Sequence, residues 1–489
     1  MKKILYISIV IAGIISINSC DTRDLDLTNP NELAPDTYFT NELQIQSAVN
    51  AAYSNLQTQG LYVRHSFFSL DNMAQDNEGN SQLEQNKRLF LNFTFDSSSD
   101  IIETYWGSCY SGIAKANFII QNQDKINAIL ESQLSQVRKN KFIAEARFLR
   151  AYYYFLLVCR FGDIPLYDKT ESVGKGRSPK ADVYKLIEED LDFASKNLLG
   201  KSTEDKGRAT KEAAFAYLGK VLLYEKKYDE ALVAFNNVTG FTLEPNYFDN
   251  FTEENEHGVE SIFEIEFTAA YTTDASRWGA ATSGEGLAEH TFRGQEYGVL
   301  DWFNVYPSTQ LLNSFEAGDK RYAGSFYSPG DSYSNGTKTM PAAFSNNRAA
   351  GWKKYQNYYH RDQENTDSGI NFKVMRYADV LLMKAECLAL KSAPDFPAAI
   401  ALITEVRSRA GLTTTIAANK TAVFNAIVHE RKVELAGEQV RFDDIIRWGI
   451  ASTELAGTGF TAGKNELWPI PDREASSNSN IVGQQNPNY

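Results

Sequence analysis

Residues 376–415, RYADVLLMKAECLALKSAPDFPAAIALITEVRSRAGLTTT, and 424–449, FNAIVHERKVELAGEQVRFDDIIRWG, carry three successive helix patterns. In the first, Tyr377, Leu381, Ala385 and Leu388 recur at helical spacing. Asp395 stands where an N-cap belongs for the second, which sets Ala399, Leu402, Ile403 and Val406 on one face and stops at Gly411. The third carries Phe424, Ile427, Val428, Arg431 and Leu435. Ala385 opposite Ala398 and Ala399 puts little bulk between the first two helices, so their backbones can approach closely. The stretch reads as an antiparallel helical hairpin with one more helix packed on it. That is a binding scaffold more than a catalytic one.

Similar patterns recur toward the N-terminus. Residues 211–238 fit the tetratricopeptide template, with Phe215, Leu218, Gly219, Ala231 and Phe235 at its large, Leu, Gly, Ala and Phe positions. A long helix is predicted over 134–161, closed by Gly162, with Asp163-Ile164-Pro165 as an exit turn. Ser178-Pro179 opens another helix, with Pro at the first helical position. Helical spacing also covers 100–126 and 41–57, the latter through Ile45, Ala48, Val49, Ala52 and Leu56. Two segments differ. Residues 61–99 are rich in Asp, Asn, Gln and Ser and read as loop with one or two short strands or turns. Residues 239–374 hold many Gly, Ser, Asn, Tyr and Trp and one clear strand, 261–267. The expected fold is mainly α. Tetratricopeptide-like helical hairpins over about 41–238 and 375–449 form a scaffold, about 239–374 is a loop-rich insertion, and 450–489 is an irregular tail. The whole of 20–489 reads as a single domain.

The N-terminus reads as an address. Lys2 and Lys3 precede an apolar run over 4–17, short for a membrane span of about 20 residues and suited to a secretory signal. Cys20 after a small residue at the end of that run resembles a bacterial lipobox. Residues 1–19 are then a signal peptide and Cys20 the acylated first residue, followed by an acidic tether, Asp21 to Asp26. Acyl chains contribute about 0.8 kcal/mol per buried CH₂, enough in combination to hold a soluble body on a membrane. A net charge of −13 offers no basic stripe for phosphates and excludes nucleic acid as a partner. Cys109, Cys159 and Cys387 stand singly in helical patterns, so free buried thiols are expected. No disulfide framework, metal or cofactor is called for.

Several motifs carry a family resemblance: Cys20 with its tether; Trp106, Tyr110, Ile113 and Asn117; Glu145-Ala146-Arg147-Phe148-Leu149-Arg150-Ala151-Tyr152; and Phe161 to Pro165. Others follow in Arg376 to Leu382, Arg409-Ala410-Gly411, Glu430-Arg431, Arg441-Phe442-Asp443-Asp444, Leu467 to Pro471 and Asn486-Pro487-Asn488-Tyr489. With these the chain resembles the SusD/RagB family of outer-membrane nutrient-binding lipoproteins of Bacteroidetes over nearly its whole length. The resemblance implies a surface protein without enzymatic activity, anchored to the outer membrane through Cys20. It captures an oligosaccharide, less often another nutrient, and delivers it to a TonB-dependent, SusC-like transporter.

A glycan site needs flat aromatic faces for sugar C–H surfaces and amides, carboxylates or Arg for hydroxyls. Trp278, set among Gly and Ser in YTTDASRWGAATSGEG (271–286), is the leading platform, followed by Tyr271, Tyr297 and Trp302. The plain alternative for Trp302 is a core anchor before Pro307. Asp71, Asn72 and Asp76 in the early loop are candidate hydroxyl partners, with a solvated turn as the alternative. Trp106 on its helix face reads as core. Arg376, Asp379, Glu386, Arg431, Glu434, Arg441 and Asp444 lie in apolar helical patterns, where charges persist only when paired, so they read as a structural ion network.

Two other functions fit parts of the sequence less well. A glycoside hydrolase could use Glu264 and Glu266, about 7 Å apart on one strand face and within the inverting range of about 6.5–9.5 Å. Same-face neighbours, however, would share one side of the scissile bond. His65, His257, His290, His360 and His429 lie in no catalytic motif. A helical-repeat surface that binds peptides or proteins is the other alternative.

Overall fold

The computed structural model describes residues 38–269 and 290–489. Cys20, Tyr271 and Trp278 lie outside the described residues. The longer helices are α1 (Glu42–Ser54), α2 (His65–Met73), α3 (Gln85–Leu91), α4 (Asp100–Ile120), α5 (Gln136–Phe161), α6 (Lys180–Asn197), α7 (Lys211–Tyr224) and α8 (Tyr228–Phe235). After the insertion come α9 (Tyr377–Leu390), α10 (Phe396–Arg409), α11 (Lys420–Glu434) and α12 (Arg441–Trp448). The longer strands are β1 (Asn77–Gly79), β2 (Ser261–Ile265), β3 (Val305–Pro307) and β4 (Phe372–Arg376). The fold is mainly α, as expected.

Local chemistry sets the helix ends. Asn41, Ser135, Thr210, Asp395 and Asn419 each accept a backbone N–H of the first turn of α1, α5, α7, α10 and α11. Gly162 stops α5 at φ +69, a left-handed position that a side chain would strain. Pro179 sits one residue earlier than expected, as the N-cap of α6. The helices then stack in order: α4 on α5, α5 on α6, α6 on α7, α7 on α8. In the α7–α8 hairpin, Gly219 provides the close approach. A Cβ there would stand 2.5 Å from the Phe235 ring.

α8 packs directly on α9, and α9 on α10 and α11, so the second half of the scaffold continues the first across the 239–374 insertion. Ala385, Ala399, Ile403, Val406, Val423 and Ile427 form the core of this second half. The insertion closes on itself. Its early strand β2 pairs antiparallel with β4, which runs straight into α9. Among the described residues no helix is long and apolar enough to cross a membrane.

The charged set forms the network expected of it. Arg376 contacts Glu260, Glu434 and Glu438 at 2.6–2.7 Å, and Arg431 contacts Asp379 and Asp444 at 2.6 and 2.7 Å. Arg447 holds Glu386 at 2.5 Å, and Arg441 holds Glu454 at 2.6 Å. Burial works against ionising Asp379, but Lys220 and Arg431 hold its carboxyl down at about 2. These pairs bolt the insertion and α9 to α11 and α12. Cys109, Cys159 and Cys387 are free thiols.

The 61–99 segment is a correction. It folds into α2, β1 and α3 and is largely buried. Its polar residues up to Asn80 are mostly buried and bonded to protein groups, so composition alone misreads it as loop.

Candidate functional site

The loop after the short helix Arg293–Tyr297 turns one aromatic out and one in. Trp302 N–H donates to the Gln295 carbonyl at 3.2 Å and Phe303 N–H to Gly298 at 3.1 Å, folding the loop back on the helix. Phe303 takes φ +45, rare for a side-chain-bearing residue, and sends its ring into the core. Its neighbour Trp302 is left 38% exposed, the only exposed aromatic among the described residues. With its amide oxygen toward the indole, Gln295 accepts from Trp302 Nε1 at 3.2 Å, which pins the ring. The loop rests on a separate apolar cluster that includes Val299, Phe303, Tyr306, Tyr327 and Tyr358.

Polar groups brace the loop that carries this ring and gather beside it. Exposed Gln82 donates to the Trp302 carbonyl, and buried Asn80 donates to the Phe303 carbonyl at 3.0 Å. Asn346, exposed and at φ +56, donates to Asn80 Oδ1 at 2.9 Å. Arg348 lies 3.8 Å over the Tyr306 ring, whose hydroxyl donates to Glu78 at 3.0 Å. Below the loop, Asp301 accepts from the Tyr358 hydroxyl and, at 2.8 Å, from Glu364 N–H. Burial pushes the Glu364 carboxyl up to about 8 and raises that of Asp301. The result is an exposed indole on a loop braced by amides, with a guanidinium and a carboxylate gathered at nearby Tyr306. Those are the groups that stack on and hydrogen-bond a sugar.

Of the candidates read from sequence, Trp302 sits at this face. Tyr297, Asp71, Asn72 and Asp76 do not, and this is a correction. Tyr297 is fully buried, its hydroxyl receiving from Asn77 at 2.9 Å and facing Asp71 at 3.1 Å. Asp71 accepts from Gln439 N–H and Asp76 from Gly437 N–H, while Asn72 donates to the Lys87 carbonyl at 3.1 Å. Burial pushes the Asp71 carboxyl up to about 7. Asp71 and Asp76 anchor the α2 region to the turn after α11, and Asn72 ties α2 to α3. Sequence reasoning missed Gln82, Asn346, Arg348 and Glu78; the polar 61–99 stretch signalled the neighbourhood of two of them but not which side chains reach the surface. Trp106 packs in the core, as expected.

Glu264 and Glu266 line a cleft of about 370 Å³ with Asn50, Tyr53, Gln57 and Arg208. Glu264 is buried. It meets Lys373 Nζ at 3.2 Å and accepts from His257 N–H at 2.9 Å. Despite burial, Lys373 and His257 hold its carboxyl down at about 2. Glu266 lies past the end of β2, and both carboxylates converge on the Asn371 amide at 3.0 and 3.1 Å. A general acid needs a raised carboxyl, and a hydrolytic pair must face each other across the bond. Glu264 is instead held down, and the two carboxylates converge on one amide instead of facing each other across a gap.

Residues 259–465 match the SusD family, and residues 25–223 match the family described as starch-binding associating with outer membrane. SusD-like protein P2 of Formosa agariphila is 28% identical over the full length of both chains. A laminarin-binding SusD-like protein of known structure is 28% identical with TM-score 0.76, covering 92% of this chain and 100% of that one. A SusD superfamily protein of Bacteroides vulgatus superposes with TM-score 0.78 at 25% identity, covering 91% of this chain and 98% of that one. On these matches, and on the helical scaffold and motifs described above, the chain belongs to the SusD/RagB family.

Proposed function

We propose that this protein is a non-enzymatic glycan-capture protein, with Trp302 as a sugar-stacking platform. The observation that carries the reading is the outward indole of Trp302, pinned by Gln295 on a loop that Gln82 and Asn80 brace. The laminarin-binding relative supports carbohydrate as the ligand class. Trp278 and Tyr271, in the same insertion, are proposed as further contacts. Acylation at Cys20 would hold the body at the outer membrane, where a SusC-like TonB-dependent transporter receives the ligand. The paired, buried state of Glu264 favours capture over hydrolysis.

The test is native electrophoresis of the purified chain through gels containing laminarin, starch or other polysaccharides. Retardation in at least one glycan, reduced by Trp302→Ala or Trp278→Ala, supports the reading. Unchanged mobility across a broad panel, or release of reducing ends by the purified chain, contradicts it. Replacing Cys20 with Ala should move the protein from the membrane to the soluble fraction.

A further inference from the structure

A second cleft, of about 270 Å³, opens on the insertion between the 245–248 segment, the short helix Lys320–Ser325 and the end of α10. Tyr247, Phe248, Lys320, Gly324, Lys353 and Arg409 line it. A Cβ at Gly324 would stand 2.7 Å from the Tyr247 ring, so glycine is what lets this wall close against the aromatic.

Three cations converge here in a chain of net charge −13. The Lys353 ammonium donates to the Ala323 carbonyl at 3.0 Å and lies 4.6 Å over the Phe248 ring and 5.1 Å from that of Tyr327. Neither it nor Lys320 has an ion-pair partner among the described residues. The acid that acts on Lys353 is Asp331, whose carboxylate is engaged by Ser328 N–H at 2.7 Å. Burial lowers the Lys353 pKa, the mark of a cation taken out of water without full compensation. Arg409 is the third. Its side chain is 5% exposed, and its terminal nitrogens are spent on Glu260 at 3.1 Å and Glu434 at 2.5 Å. Its Nε remains buried without a hydrogen-bond partner. A buried donor left unpaired costs about 1–3 kcal/mol unless something fills the place.

We propose that this cleft receives an anionic substituent of a glycan, a carboxylate or a sulfate ester, between Lys320, Lys353 and Arg409. The inference rests on the glycan-capture reading and narrows its ligand class to acid-bearing saccharides. The half-buried Phe248 ring offers an apolar face for the sugar that carries the acid. Arg409 is committed to the buried network, so the two lysines are the adjustable part.

The experiment is titration calorimetry of the full chain in detergent. The probes are inorganic sulfate, trigalacturonate, a sulfated disaccharide and a neutral glucan hexaose, at low and moderate salt. Binding of trigalacturonate or the sulfated sugar, weakened by salt and at least about tenfold by Lys320→Gln with Lys353→Gln, supports the inference; that is about 1.4 kcal/mol. The two saccharide arms tell carboxylate from sulfate ester. Lys353→Arg should retain binding and Lys353→Glu abolish it, which controls for a misfolded double variant. Absence of binding by every charged saccharide, or a Kd unmoved in the double variant, overturns it. If the neutral hexaose binds through Trp302 while no charged probe uses the lysines, the inference fails and capture stands. If sulfate binds through the lysines while no saccharide binds, the cleft holds an adventitious ion only, and both the inference and the capture reading fail.

Discussion

Arg376 and Glu434 meet at 2.6 Å, with side chains 1% and 0% exposed. The first ends β4, the strand that closes the insertion, and the second ends α11. Glu434 also holds Arg409 and Arg321, at 2.5 and 3.0 Å. One carboxylate thus ties three guanidiniums from three elements, and its removal would leave buried positive charge uncompensated. Replacing Glu434 by Ala should lower stability by about 3–5 kcal/mol, read as a shift of the urea midpoint. Loss below about 1 kcal/mol would mean the network is not the joint between insertion and scaffold.

The close approach of α7 and α8 is equally specific. Gly219→Ala places a methyl group against the Phe235 ring and should cost about 1–3 kcal/mol by overpacking. Phe235→Leu should recover part of that loss, so the double variant should be less destabilised than the sum of the singles. Strict additivity would argue against direct packing between the two positions.

The pH dependence of stability should carry the signature of Glu364. Its folded carboxyl is raised from 4.5 to about 8 by burial, so the native state keeps a proton that the unfolded chain releases. Stability from this group is therefore greatest below about pH 4.5 and falls as pH rises toward 8. Glu364→Gln keeps one acceptor oxygen for Asn357 and removes the titration. Thermal melts at pH 5 and pH 8 should show a smaller drop for the variant than for the parent. An equal drop would place the proton elsewhere.

The buried polar anchors of α2 should affect stability and leave binding alone. Tyr297→Phe strips the hydroxyl shared by Asn77 and Asp71 and should cost about 1–3 kcal/mol. Its glycan affinity, measured by the same gels, should match the parent. A loss of affinity at unchanged melting temperature would return Tyr297 to the binding face.

The scaffold was legible because its information is local. Apolar spacing, the Asp395 cap, Gly219 and Gly411 all act within a few residues, and α7 to α11 formed where those signals placed them. The ion network was legible for a related reason: charges inside apolar helical patterns must be paired. Residues 61–99 defeated the same method. Asp71, Asn72 and Asp76 find their partners at Gln439, Lys87 and Gly437, so two of the three contacts lie far along the chain and no periodicity reports them. At the site, composition could nominate Trp302, but its exposure depends on the left-handed turn at Phe303, and the flanking Asn346 and Arg348 arrive from a distant loop.

The capture reading is tested most directly by the affinity of the Trp302→Ala variant for whichever polysaccharide retards the parent. The side chain is 38% exposed and belongs to none of the buried apolar clusters, so the melting temperature should stay within about 2 °C, a shift that roughly 1 kcal/mol already gives in a domain of about 150–250 residues. Retardation should fall at least about tenfold in apparent affinity, as expected for loss of one aromatic anchor. A folded Trp302→Ala protein that binds the glycan as tightly as the parent would contradict the account.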